Sequence, residues 1–415
     1  MSGLPSMWNG SMRTLCGGLL LGSALVACSA DPADPAAAGE ATASLATSPA
    51  RGPGFTTMYK SPLATEGLTA DAGGNLYTAG RAGANPCPVW RIAARDGAVA
   101  VVGTLPPPCG PAGLAFDARG ALYVTDGSDK ILRLVPDAKA PPTGAVFASG
   151  VPGGNGVAFD RHGNLWATDG GTGQGRVWRI APDGTVTEMV RIQPAANDIN
   201  TTIVDGVEVG GVGRDYRALP AGSVTFPGRV ANDKLGSVAI VANGIAFDQA
   251  GDTAFVADTA RGAIWRFQLD RRGNVRSSLG CDTTFAANTL CLENLLVQHP
   301  ILEGLDGIAL DVEGNIWGVA NERNALVEVT RDGAVREVFR NPPDATTLLR
   351  NAGPLEFPTS PVLAGRRICL AQTDAARRDN APNTGGEIGA ATGFLGKVAC
   401  ADQPLRVPGL RLPID

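Results

Sequence analysis

The sequence predicts an all-β protein: a six-bladed β-propeller with four-stranded antiparallel blades and long loops at the mouth of its channel. The chain is rich in turn residues, with 55 glycines and 30 prolines, and only 18% of its residues are charged, which is typical of a turn-rich β protein. A strand–turn–strand motif recurs several times, and each copy is followed by a second pair of short apolar segments around another turn. A repeat of roughly forty residues with four strands is characteristic of propeller blades.

The first 28 residues are predicted to be an export signal. Arg13 precedes an apolar run that ends in the residues LVAC at Cys28, and this run is too short to span a membrane comfortably. It resembles a bacterial lipoprotein signal whose cysteine is lipidated, and an ordinary secretory signal is the alternative. Residues 29–56 are rich in alanine, proline and small polar residues and are predicted to be a disordered tether. By the same resemblance, Ser29 favours an outer-membrane envelope protein that contacts the membrane only through its lipid.

The cysteines support export to an oxidising compartment. Of the eight cysteines, Cys16 lies in the signal and Cys28 is the lipidation candidate. Six cysteines allow fifteen pairings, so proximity alone suggests three local disulfides, between Cys87 and Cys109, Cys281 and Cys291, and Cys369 and Cys400. Zinc is the competing interpretation, but the chain has no CxxC spacing and only two histidines, which disfavours it.

The repeats define one predicted propeller domain over residues 57–410. Five clear copies and one degenerate copy of the motif begin at Thr65, Pro111, Gly154, Ala242, Leu305 and Thr359. A seventh blade within 191–241 is the alternative, but that segment contains no copy. Three insertions, 191–241, 275–304 and 341–358, are expected between the outer strand of one blade and the inner strand of the next, at the mouth of the channel. Loops of this length in a compact domain are usually functional.

The residue before the repeated glycine differs from copy to copy. In chain order these residues are Glu66, Ala112, Asn155, Asn243, Asp306 and, approximately, Ser360. Inner strands surround the propeller axis, so two carboxylates and two amides converge, and two adjacent carboxylates repel unless a cation lies between them. Hard oxygen donors favour calcium or magnesium. Asparagine and aspartate before glycine are also common turn residues, which is the alternative for each copy taken alone.

These motifs resemble those of the six-bladed propellers of the senescence-marker-protein (regucalcin), gluconolactonase and luciferin-regenerating-enzyme family, over about residues 62–400. The resemblance implies a divalent cation on the channel axis, held by Glu66 of TEGL, Asn243 of ANGI and Asp306 of LDGI. It assigns a substrate or metal contact to Asn155 of GNGV. Calcium is the expected cation, with magnesium or zinc possible.

The resemblance implies a metal-dependent lactonase or ester hydrolase with a small-molecule substrate, in which the cation polarises the carbonyl and activates water. Two departures count against a sugar lactone: the first blade reads EGLTAD, and VPGGNG lacks the family's arginine. A non-catalytic ligand- or protein-binding propeller with a structural cation is the alternative, and a propeller lyase is the third. We expect a monomer, and no nucleic-acid partner, because the net charge is -5 and basic runs are absent from the sequence.

Two further features concern catalysis. Asp306 is a catalytic candidate as well as a ligand candidate. His299 lies in the loop that leads to Asp306 and is a hypothetical general base; an ordinary loop histidine is the alternative. The polar segment Ala376–Gly389 is either a rim or lid over the channel or a plain surface loop.

Overall fold

The computed structural model describes residues 54–172, 174–193, 240–281 and 286–412, and the backbone of strands at 202–204 and 207–209. The predicted signal, Cys28 and most of the predicted tether lie outside the described residues. Most of the predicted insertion at 191–241 lies outside them too. No helix in the described ranges is long and apolar enough to cross a membrane.

The described chain is an all-β, six-bladed propeller, as the sequence predicts. The first strand is β1 (Phe55–Ser61). Blade 1 is β2 (Thr69–Ala70), β3 (Leu76–Ala79), β4 (Cys87–Ile92) and β5 (Val99–Leu105). Blade 2 is β6 (Leu114–Phe116), β7 (Leu122–Thr125), β8 (Lys130–Leu134) and β9 (Ala145–Ser149). Blade 3 is β10 (Gly154–Phe159), β11 (Leu165–Asp169), β12 (Arg176–Ile180) and β13 (Val186–Arg191).

The second half of the chain continues the pattern after a two-stranded sheet formed by β14 (Thr202–Val204) and β15 (Val207–Val209). Blade 4 is β16 (Ile245–Phe247), β17 (Thr253–Asp258), β18 (Ala263–Gln268) and β19 (Leu295–Gln298). Blade 5 is β20 (Leu305–Leu310), β21 (Ile316–Ala320), β22 (Ala325–Val329) and β23 (Val335–Arg340). Blade 6 is β24 (Pro358–Ala364), β25 (Arg367–Thr373), β26 (Gly396–Ala401) and β1. Short 3-10 helices span Leu292–Asn294, Pro300–Leu302, Asn321–Arg323 and Arg378–Asn380.

The propeller is closed by its first strand. β1 pairs antiparallel with β26, so that Phe55 faces Ala401 and Ser61 faces Gly396. The outer edge of blade 6 is therefore covered by β1, which leaves one fewer unpaired strand edge. The strand includes the last two residues of the segment 29–56 predicted to be a tether.

The repeated turn has a simple local cause. In blade 3, Asp160 is buried, and its Oδ1 accepts hydrogen bonds from the backbone N–H groups of His162 and Asn164, at 2.8 and 2.9 Å. Its Oδ2 accepts from the indole Nε1 of Trp166 at 2.9 Å. One aspartate thus organises the hairpin and fixes the aromatic residue of the second strand, which explains the recurrence of both residue types.

The insertion predicted at 275–304 is placed differently from the expectation. The outer strand of blade 4 is β19, within that segment, and not the stretch near 274–278, so most of the inserted residues connect the third and fourth strands of the blade. They pack beside the outer strand of blade 3, where Arg191 N donates to Asn288 O at 3.0 Å. The misassignment arises because Leu269 and Val275 form a short antiparallel bridge that has the pattern of a strand pair.

The core lies between adjacent blades, and three disulfides tie strands or loops together. Between blades 3 and 4, Trp166, Trp265 and Phe267 are almost completely buried. The three predicted disulfides are confirmed: Cys87–Cys109, Cys281–Cys291 and Cys369–Cys400.

Candidate functional site

The inner strands meet at one end of the channel, which we call the mouth, through contacts between neighbouring blades. Gly113 N donates to Asn155 O at 2.9 Å, and Gly244 N donates to Asp306 O at 3.2 Å. A Cβ at Gly113 would lie 2.2 Å from Asn155 O. The glycine of the repeat is therefore required because each strand approaches the backbone of the next too closely for a side chain. The residue that precedes the glycine is held at the mouth because its backbone carbonyl accepts a hydrogen bond from the neighbouring blade.

We call the six residues at this position the mouth ring. They are Glu66, Ala112, Asn155, Asn243, Asp306 and Thr359. The sequence placed Ser360 in the sixth position, which is wrong by one residue: a Cβ on Gly307 would contact Ser360 Cα and Thr359 O, each at 2.7 Å, so Ser360 occupies the glycine position. The hydroxyl of Thr359 donates to Glu66 O at 2.6 Å and closes the ring.

Three predicted ligand residues are brought together. Asp306 and Asn243 are buried, and Glu66 is half-buried. Burial raises the pKa of Asp306 well above its usual range, the carboxylate of Glu66 raises that pKa further, and hydrogen bonds from Asn321 and Asn243 lower it. Asp306 therefore interacts with Glu66 across the ring and with Asn243 from the neighbouring blade. The two acids are close enough for one to disfavour ionisation of the other.

A second row of residues, which the sequence analysis missed, contacts the ring from the ends of the second strands. Asn321 Nδ2 donates to Asp306 Oδ2 at 2.9 Å, and Asn243 Nδ2 donates to Thr259 Oγ1 at 3.0 Å. Arg81 forms an ion pair with Glu66. Arg81, Thr259 and Asn321 occupy the same position in their blades, relative to the pairing of the first two strands. Arg81 follows Gly80 and Asn321 follows Ala320, so no common sequence motif marks this position.

Asn155 and His299 have other contacts. Gly170 leaves the space that the Asn155 amide occupies, since a Cβ there would lie 2.4 Å from Asn155 Nδ2. In the described part of the chain, no side-chain hydrogen bond joins Asn155 to the other predicted ligands. The Nδ1 of His299 accepts from Ile301 N at 3.1 Å and caps the following 3-10 helix. Its proposed catalytic role stays a prediction.

The loop between β25 and β26 packs against blade 5 beside the mouth. Arg378 Nη2 lies 2.9 Å from Glu303 Oε2, and Arg377 Nε lies 2.8 Å from Glu322 Oε1. Glu303 precedes the Asp306 strand, and Glu322 follows Asn321. The segment Ala376–Gly389 therefore contributes to a rim at the mouth near Asp306.

The mouth offers a small set of oxygen donors for a cation. In the described ranges, no group of three or more His, Cys, Asp or Glu side chains is arranged to hold a metal ion. The mouth provides two carboxylates and the amide of Asn243, which are hard oxygen donors of the kind that calcium and magnesium prefer. The Oδ1 of Asn321, whose amide contacts Asp306, is buried without a hydrogen-bond partner. A buried acid with a raised pKa, a second acid close to it and an unpartnered buried oxygen nearby fit a hard divalent cation.

One family model matches part of the sequence. Residues 221–354 match the family model described as SMP-30/gluconolactonase/LRE-like region. The matched segment contains Asn243 and Asp306, and it confirms the resemblance seen in the sequence. No curated protein matches the sequence significantly.

Solved structures resemble the whole propeller. A calcium-binding regucalcin from Agrobacterium tumefaciens is 17% identical, with 86% of this chain and 96% of that chain covered and a TM-score of 0.53. A luciferin-regenerating enzyme is 14% identical, with 86% and 98% covered and a TM-score of 0.52. A gluconolactonase from Xanthomonas campestris is 16% identical, with 86% and 89% covered and a TM-score of 0.50. At these identities the likeness shows the fold.

Proposed function

We propose that this protein is a metal-dependent hydrolase of a small-molecule lactone or ester. The observation that carries the proposal is the convergence of Glu66, Asn243 and Asp306 at the mouth. The regucalcin and gluconolactonase likenesses support the same chemistry, since those proteins are described as calcium-binding and as a gluconolactonase.

The residues at the mouth would have distinct roles. Glu66, Asn243 and Asp306 would hold the cation, which is proposed to be calcium and when bound would polarise a carbonyl and acidify a water. Asn321 donates to Asp306 Oδ2 and Thr259 accepts from Asn243 Nδ2, so both ligand side chains are oriented before any cation binds. The rim formed by Arg377 and Arg378 would limit access of solvent to the mouth.

A panel of lactones and aryl esters tests the proposal, assayed with excess calcium and with EDTA. We expect turnover by the wild type that EDTA removes and that Asp306→Ala lowers by at least a hundredfold. Asp252→Asn is the matched control, because Asp252 is a partly exposed acid paired with Arg161, and its turnover should equal that of the wild type. Turnover that persists both in EDTA and in Asp306→Ala contradicts the metal mechanism.

A second candidate function is a non-catalytic propeller that binds a ligand at the mouth and uses the cation structurally. The observation favouring it is the rim, in which Arg377 and Arg378 are paired with Glu322 and Glu303 beside the mouth. Calcium binding without turnover of any substrate in the panel would support this candidate.

We also propose that the protein is a monomeric lipoprotein anchored to the cell envelope through Cys28. The support is the apolar run that ends at LVAC and the three disulfides, which are typical of an oxidising compartment. Cys28→Ala should move the protein from the membrane fraction to the soluble fraction. Equal membrane retention of the variant and the wild type would contradict the anchor.

A further inference from the structure

Arg81 occupies a position that no other described blade fills with a charged residue. The antiparallel bridge between Thr65 and Gly80 corresponds to the pairing of Leu305 with Ala320 in blade 5. Arg81 is therefore the counterpart of Asn321. By the same alignment, the counterparts in the remaining four blades are Gly127, Gly170, Thr259 and Thr373. The arginine is thus a feature of the site and not of the repeat.

The guanidinium of Arg81 is anchored at one nitrogen and is paired to a ligand candidate at another. Its Nε donates to Pro111 O at 3.1 Å, and its Nη2 lies 3.1 Å from Glu66 Oε2. The side chain is 40% exposed, whereas that of Glu66 is 13% exposed. Arg81 therefore approaches the acid from the solvent side of the mouth.

Other arginines on this face differ from Arg81 in exposure. Arg176 is paired with Asp169 at 2.9 Å and Arg378 with Glu303 at 2.9 Å, and their side chains are 21% and 10% exposed. Asp169 is a structural acid that also accepts from Thr172 N. Arg81 alone among these three is paired with an acid that a cation at the mouth would recruit.

Glu66 cannot serve Arg81 and a divalent cation equally well. A divalent cation between Glu66 and Asp306 would repel the guanidinium, because like charges at close range in a partly buried site interact strongly. The Nε contact with Pro111 O does not depend on Glu66, so Arg81 would remain beside the mouth with its Nη groups released. An arginine with both Nη groups available binds a carboxylate in a bidentate manner.

We propose that the divalent cation displaces Arg81 from Glu66, and that the released guanidinium recognises an anionic group on the substrate. The substrate class is then a lactone or ester that carries a carboxylate. This inference rests on the proposed metal site and adds two things to it: a residue that lowers metal affinity in the empty site, and the charge of the substrate. Arg81 couples the two because it can neutralise only one carboxylate at a time.

Calcium titration of the intact protein by calorimetry tests whether the cation displaces Arg81 from Glu66. Arg81→Gln should bind calcium about tenfold more tightly than the wild type, and Arg81→Lys, which keeps the charge, should bind like the wild type. Arg336→Gln is the matched control, because Arg336 is 66% exposed and paired with Glu328, and it removes the same charge. Thermal unfolding of each variant checks that it is folded at the titration temperature.

Binding of succinate, a small dicarboxylate, tests whether the released Arg81 recognises an anionic group. With saturating calcium, the wild type should bind succinate at least tenfold more tightly than without calcium. Arg81→Gln should lose most of that gain, and Arg81→Lys should lose part of it, because an ammonium lacks the bidentate fork. A calcium-dependent gain that is equal in Arg81→Gln and the wild type overturns the anion role.

The outcomes separate this inference from the proposed function. Calcium binding of equal affinity in the wild type and Arg81→Gln overturns the exchange and leaves the metal site intact. Absence of calcium binding in both proteins overturns the exchange and the metal site together. Calcium binding that is detectable only in Arg81→Gln supports the exchange directly.

Discussion

Replacing Asp306 with asparagine should stabilise the calcium-free protein and abolish its stabilisation by calcium. Asp306 is buried, and its pKa is raised by burial and by Glu66. A carboxyl group whose pKa is higher in the folded state than in the unfolded state stabilises the fold below its unfolded pKa, near 4, and loses that contribution as the pH rises through the folded pKa. At pH 7.5, which lies above the unfolded pKa, the raised pKa of Asp306 therefore lowers the stability of the fold, and asparagine removes that cost.

The stabilisation by asparagine scales with the rise in the pKa of Asp306. Each unit of pKa corresponds to about 1.4 kcal/mol. An entropy of unfolding of about 2 cal/mol/K per residue, over roughly 360 residues, gives about 0.75 kcal/mol per kelvin, so each unit raises Tm by about 2 °C. Calcium at about a hundred times its Kd adds ~2.7 kcal/mol to the wild type, or about 4 °C, and should add nothing to the variant. The advantage of the variant over the wild type in Tm should therefore be about 4 °C smaller in calcium than in EDTA.

The assay is thermal unfolding at pH 7.5 in EDTA and in calcium, with Asp311→Asn as the control on the same strand's turn. Asp311 is buried, and its Oδ1 accepts from Glu313 N and Asn315 N at 3.0 and 2.9 Å. Its replacement should lower Tm in both conditions, since it weakens a turn and does not touch the mouth. If Asp306→Asn lowers Tm in EDTA as much as Asp311→Asn does, or if calcium stabilises it like the wild type, the reasoning is refuted.

Three further predictions concern the fold. Cys369→Ser with Cys400→Ser opens a loop of 31 residues and should cost about 3.7 kcal/mol, or about 5 °C in Tm; an unchanged Tm contradicts this. Deletion of residues 1–61 removes β1 and exposes β26, so the protein should aggregate on size-exclusion chromatography, and a soluble monomer would argue against closure by β1. Lys397→Met leaves the buried Glu356 without its ion-pair partner and should destabilise by roughly 3–5 kcal/mol in chemical unfolding, which a loss below 1 kcal/mol would disprove.

Most of the fold could be predicted from the sequence because the repeat is visible in it. In blades 1 to 5 a glycine near the start of the inner strand is required by the close approach of the next blade, and the first hairpin is organised by an aspartate such as Asp160. Both requirements are local, so both recur in the sequence and predict strands and blade number. The outer strands are harder, because β19 returns after an inserted loop and β1 pairs with a strand more than 330 residues away. Neither arrangement leaves a local pattern.

The site residues were predictable where they occupy one variable position of the repeat. Glu66, Asn243 and Asp306 stand at one position of the repeat, and the structure brings these three together. Thr359 was missed by one residue because its copy has serine in place of glycine. Arg81 and Asn321 were missed because their contacts with Glu66 and Asp306 depend on the register of the first two strands of each blade. That register is set by strand pairing and not by sequence order.

The pairing of β1 also determines where the chain enters the propeller. Ser61 lies at the mouth end of blade 6 beside Gly396, and Phe55 lies at the opposite end beside Ala401. The first described residue, Gly54, accepts a hydrogen bond from Asp402 N at 2.8 Å at that opposite end. Any segment that leads into Gly54 thus joins the propeller on the face remote from Glu66 and Asp306. An enzyme held to a surface by such a segment would keep the approach to its mouth open to molecules arriving from solution.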